Sequence, residues 1–115
     1  MSDAPQSLAE VRSRIDALDA DLVGLLARRE ALVRAAAAFK KDEQAVRAPD
    51  RVERVVAAAR GKAAEAGLSP EVAEAVWRAM IAAFIDLELT EHLDRQATGQ
   101  AVERATGQAT QQPYG

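Results

Sequence analysis

The chain has no cysteine, and its 115 residues include only one Trp, one Tyr, two Phe and one His. The lack of cysteine excludes a disulfide framework and a thiolate metal site, and it fits a reducing, cytoplasmic setting. His92 has no partner at nucleophile or metal-ligand spacing, so it is assigned to the surface and no metal is expected. No apolar run approaches the roughly 18 residues of a membrane span. The opening MSDAPQSLAE lacks the basic and apolar segments of a signal peptide, so no membrane partner is expected. Neither charge dominates: 15 Lys and Arg stand against 18 Asp and Glu, a net charge of −3, with the two signs interspersed. Without a basic stripe, nucleic acid is excluded as a partner. Strand signals, Gly-rich phosphate loops and HExxH motifs are missing as well.

What remains is rich in Ala, Leu, Glu and Arg, a helix-forming composition that predicts an all-α fold of three helices in one small domain. Residues 1–6 read as a flexible leader. Ser7-Leu8-Ala9-Glu10 matches a capping box, and Leu8, Val11, Ile15, Leu18, Leu22, Leu25, Leu26, Leu32, Val33, Ala36 and Phe39 then keep a helical period. The first helix is expected over about 7–41, some 50 Å long. A compact domain of this size has a radius of gyration near 13 Å, so a second subunit is expected to cover part of that helix. After a loop, Pro49 opens a helix expected to reach residue 66, with Val52, Val55, Val56, Ala59 and Ala63 on its apolar face and Gly67 closing it. Ser69-Pro70-Glu71 starts a third, expected to end near residue 95 and to bury Val72, Val76, Trp77, Met80, Ile81, Phe84 and Ile85. The working domain is therefore 7–96. From 97 to 115 the chain turns small and polar, with ATGQ twice, and is expected to be a disordered or frayed tail.

Four charged residues interrupt these apolar faces. Arg29 and Lys40, eleven residues apart, fall on nearly the same side of the expected first helix, and Arg51 follows Pro49. Any one of them alone is ordinarily a snorkelling side chain at the edge of a stripe. Together they suggest a polyanionic ligand, because unpaired cations facing an apolar setting forfeit several kcal/mol of solvation. Glu88, eleven residues past Trp77, joins the apolar face of the last helix; its plainest role is an interhelical ion pair, with Arg29 as a candidate partner. Arg12 lies about 25 Å along the helix from Arg29, so the two can hold one small ligand only across an antiparallel dimer.

The order Arg12-x-x-Ile15-Asp16-x-x-Asp19, LLARR ending at Arg29, AAFK ending at Lys40, APDRV containing Arg51 and IDLE ending at Glu88 resembles the all-helical chorismate mutase family, including isochorismate-pyruvate lyase. The resemblance covers about residues 7–95. It implies an intertwined homodimer built on the long first helices, with Arg12 of the partner subunit completing each site. It also implies a small dianionic substrate, chorismate or isochorismate, and no cofactor, because the pericyclic reaction needs no nucleophile or redox partner. By resemblance, Arg12 of the partner subunit and Arg29 hold the two carboxylates, Lys40 serves a carboxylate and the ether oxygen, and Arg51 assists at the rim. Phe84 and Val52 join the substrate-binding set.

Two positions depart from the commoner mutase pattern. Glu88 stands where many members carry Gln facing the ether oxygen, and it can donate a hydrogen bond there only when protonated. Val52 stands where typical mutases carry Glu for the ring hydroxyl, a pattern nearer the lyase. The expectation is a chorismate mutase, with isochorismate-pyruvate lyase, a mutase for an aminated chorismate analogue, and a non-catalytic helical dimerisation module as alternatives.

Overall fold

A computed structural model describes residues 3–114, with side chains described over residues 3–98. The helices are α1 (Leu8–Ala37), α2 (Glu43–Arg47), α3 (Pro49–Ala66) and α4 (Pro70–Tyr114), with no strand among the described residues. The fold is all-α, three long helices with a five-residue helix added where a loop was expected. The chain divides into two compact units, one up to Ala36 and one from Ala37 on.

Ser7 caps α1, its Oγ accepting the Glu10 N–H at 3.1 Å. The capping box closes one residue early, because the Glu10 carboxylate takes the N–H of Gln6 at 2.9 Å. Leu8, Ile15, Leu18, Leu22, Val23, Leu25, Leu26 and Leu32 are between 40% and 71% exposed along this helix. Covering a fully exposed large aliphatic side chain is worth about 1.5–3 kcal/mol, so this partly covered stripe leaves roughly 7–14 kcal/mol of apolar burial unrealised.

The first helix ends at Ala37 rather than near 41. Lys40 donates its N–H to the Ala37 carbonyl at 3.1 Å, closing a turn through Ala38 and Phe39. Neither Gly nor Pro marks this stop, so periodicity overran it. Lys40 is consequently off α1, and the three-turn relation expected between it and Arg29 does not hold.

In the second unit, α2 is capped by Asp42, whose carboxylate accepts the Ala45 N–H at 2.8 Å, and anchored by buried Val46. Ala48, at φ 36° and ψ 63°, ends α2 and starts α3 at once, letting Pro49 take the first position of the next helix. Helix α3 ends at Gly67, whose φ of 80° needs no Cβ relief; the following Leu68 N–H reaches back to the Ala63 carbonyl at 2.8 Å. Ser69 caps α4 through the Val72 N–H at 3.3 Å.

Helices α3 and α4 pack against each other, and α2 packs on α4. Val56, Ala59 and Ala63 of α3 and Ala73 of α4 are buried. The face of α4 differs from the expected one: Val72 and Val76 are exposed, while Trp77, Met80, Ile81, Phe84 and Ile85 are half-buried. The small Ala73 sets the phase, because two helices approach closely only where side chains are short. From Ala73 the covered positions recur at helical spacing through Trp77 and Phe84 to Glu88.

Outside this core, Arg78 grips both carboxylate oxygens of Glu53 at 2.8 and 2.9 Å and Glu74 at 2.9 Å. Arg60 reaches Glu74 at 3.0 Å. The tail expected from 97 on is helical as far as Tyr114, and Gly115 lies outside the described residues, as do Met1 and Ser2 of the leader. Ala, Glu, Arg and Gln continue to favour helix there, and no proline intervenes before Pro113.

Candidate active site

Two of the intruding charges meet. The Lys40 Nζ donates to Glu88 Oε2 at 2.8 Å, joining the turn after α1 to the middle of α4. The Glu88 side chain is 5% exposed and the Lys40 side chain 27%. Glu88 is the one buried charged residue among the described residues. Its ion pair within this unit is with Lys40. Such a pair is costly to disturb from one side, since either charge left alone in that setting lacks solvation.

Four residues before Glu88 on α4, Phe84 is half-buried. Val52 is half-buried one turn into α3 and lines an open groove of about 710 Å³ with Gln44, Arg47, Pro49 and Ile85. Arg51 is exposed in the first turn of α3 and makes no ion pair among the described residues. Arg12 is exposed on α1, and Arg29 is half-buried on the same helix. The second unit thus brings Lys40 and Glu88 together, with Phe84 on the same stretch of α4.

Arg47 belongs to the unexpected helix α2 and pairs with Glu43 at 3.0 Å. It lines the groove beside Val52 and also a cavity of about 300 Å³ bordered by Leu89, Leu93 and Gln96. His92, assigned to the surface, is half-buried in that second cavity with its Nε2 at 3.1 Å from the Gln96 Nε2. Among the described residues no three His, Cys, Asp or Glu side chains gather as a metal site, and no helix is long and apolar enough to cross a membrane.

The groups on this surface that depart from their ordinary titration belong to the ion network. Hydrogen bonds from Arg78 hold Glu53 and Glu74 below the usual carboxylate range. The same contacts push Arg78 up.

The four-helix order and the partly buried Lys40–Glu88 pair place the chain among small all-α proteins. The chain belongs to the chorismate mutase type II family, whose model matches residues 11–89. That span includes Arg12, Arg29, Lys40, Arg51, Val52, Phe84 and Glu88. The chain is similar to the isochorismate pyruvate lyase of Pseudomonas aeruginosa, 37% identical over 78 residues that cover 68% of this chain and 77% of that protein.

Proposed function

We propose that the chain is a chorismate mutase that converts chorismate to prephenate as an intertwined homodimer. The observation that carries this reading is the Lys40–Glu88 pair, an ammonium and a buried carboxyl group 2.8 Å apart. The family match supports it. In the reaction the ether C–O bond of the enolpyruvyl group breaks while its methylene carbon bonds to the ring, in one cyclic shift of electrons. No nucleophile enters. The protein has to hold the compact conformer and stabilise the charge that grows on the ether oxygen.

Lys40 donates to that oxygen and to the neighbouring carboxylate, and Glu88, when protonated, gives a second hydrogen bond. Arg29 takes one carboxylate in bidentate fashion and Arg12 of the partner subunit takes the other, with Arg51 at the rim. Val52 and Phe84 supply apolar walls. The exposed aliphatic stripe of α1 is the surface a second copy covers, and burying it in water-poor surroundings strengthens every charge contact in the site.

Two observations favour a second reading, isochorismate-pyruvate lyase. Val52 offers no acceptor for the ring hydroxyl of chorismate, and the relative described above is named as a lyase. There the same ether bond breaks while a ring hydrogen moves to the enolpyruvyl methylene, releasing salicylate and pyruvate. The test is to incubate the protein separately with chorismate and isochorismate and to follow prephenate, salicylate and pyruvate. Prephenate formation is expected. Salicylate with pyruvate and no prephenate would transfer the assignment to the lyase, and no turnover of either substrate would leave a helical dimerisation module.

A further inference from the structure

We infer that Glu30 is a positioning residue that holds Arg12 of the partner subunit beside Arg29, ready for a substrate carboxylate. This inference rests on the reading of the protein as an antiparallel dimer that shares a dianion between subunits. Arg12 and Glu30 are eighteen residues apart on α1, about five full turns, so they stand on one line of the helix about 27 Å apart. That line runs along one flank of the aliphatic stripe, about a quarter turn around from Leu22. Arg12 is exposed and makes no ion pair or hydrogen bond among the described residues. Glu30 is half-buried, and its contact with Arg34, at 3.6 Å, is too long for a hydrogen bond.

An antiparallel pair of helices related by a two-fold axis keeps each flank on its own side. Arg12 of one copy therefore faces Glu30 of the other when the axis passes their midpoint, about residue 21. An axis within about a residue of that midpoint also sets Leu18 against Leu22 of the partner subunit and Ile15 against Leu25 of the partner subunit. These four side chains are between 49% and 61% exposed on the single chain, so the register that pairs the charges also covers the stripe. Asp19 lies near the same line, but pairing it with Arg12 would move that arginine about 15 Å along the helix from Arg29. Arg29 immediately precedes Glu30 and sits in the middle of the stripe, so the register draws two guanidinium groups together. Without an anion they would repel in partly desolvated surroundings, and Glu30 supplies that anion before substrate arrives. A guanidinium has five N–H donors, so Arg12 of the partner subunit keeps Glu30 on one edge and turns another to the substrate.

Charge exchange supplies the test. Full-length wild type, Arg12→Glu, Glu30→Arg and the double exchange are compared by sedimentation equilibrium, with helix content by circular dichroism as the control for folding. Each single reversal is expected to raise the dimer dissociation constant about tenfold or more, and the double exchange to return it to within about threefold of wild type. Glu30→Gln alone is expected to raise KM for chorismate about fivefold with kcat little changed, because the carboxylate contact it positions is made before and during the reaction. Arg34→Gln should leave KM where it is. A double exchange no tighter than the single reversals, or an Arg34→Gln protein that matches Glu30→Gln, would overturn the assignment. Turnover with KM unchanged in Glu30→Gln would remove the positioning role and leave the reaction standing. Restored pairing in a protein that converts neither chorismate nor isochorismate would end the reaction proposed above and leave the contact between subunits standing.

Discussion

Replacing Lys40 by Met would leave the Glu88 carboxylate 5% exposed and without the ammonium that now lies 2.8 Å away. Breaking a fully buried pair from one side costs about 3–5 kcal/mol. Lys40 is 27% exposed, which lets some water reach the vacated position, so about 2–3 kcal/mol is the fitting magnitude. At about 4 °C per kcal/mol for a chain of this size, the melting temperature should fall by roughly 10 °C. Adding Glu88→Leu removes the stranded charge, and the double variant should recover most of that loss, since an apolar pair of similar volume is often neutral or better. Activity should behave oppositely. Loss of one donor at the reacting oxygen costs about 3 kcal/mol, on the order of a hundredfold in kcat/KM, and the stable double variant should remain inactive. Thermal melts at one fixed protein concentration, read beside turnover of chorismate, separate the two effects. A Lys40→Met protein that melts like wild type, with no gain from the second substitution, would refute the buried pair as the organising feature of the site.

Glu88→Gln puts an amide N–H donor at the position proposed to face the ether oxygen, so kcat/KM should hold or rise; a loss beyond about tenfold with the fold intact would remove this role. Stability should weaken in acid. Glu53 and Glu74 titrate below their ordinary 4.5 because Arg78 donates to them, so the network's contribution is complete above that value and is lost as pH falls through the lowered one. Arg78→Gln should shallow that acid limb in melts taken across the range. Ala48→Gly should raise stability by about 0.5–1 kcal/mol, because only glycine takes a φ of 36° without Cβ crowding, and Ala48→Val should lower it. Arg12→Ala and Lys40→Ala variants, each inactive alone, should regain activity when mixed and refolded together, since one site of the mixed dimer is intact; no recovery would count against a site shared between subunits.

The helical class was legible because local chemistry decides it. Pro49, Gly67 and the Ser69-Pro70 pair marked their helix ends correctly, since each acts through its own φ or side-chain oxygen. Where no such residue stands, the boundary was misplaced. Ala38 and Phe39 carry no stop signal, so periodicity alone carries α1 past Ala37 and through Lys40. KDEQAVRA hid α2, whose Asp42 cap and single buried Val46 are too short a pattern for periodicity to register.

Residue identity and order by themselves determined that this chain is helical, that charges interrupt its apolar faces at Arg29 and Glu88, and which family it resembles. Those facts follow from propensities and spacing within one segment. Only tertiary structure decided that Glu88 meets Lys40 across 48 positions of sequence, that Ala73 rather than Val72 or Val76 sets the buried phase of α4, and that Arg47 borders the groove beside Val52. Each of these depends on which segments pack together and how closely, and short side chains at a helix contact govern that approach.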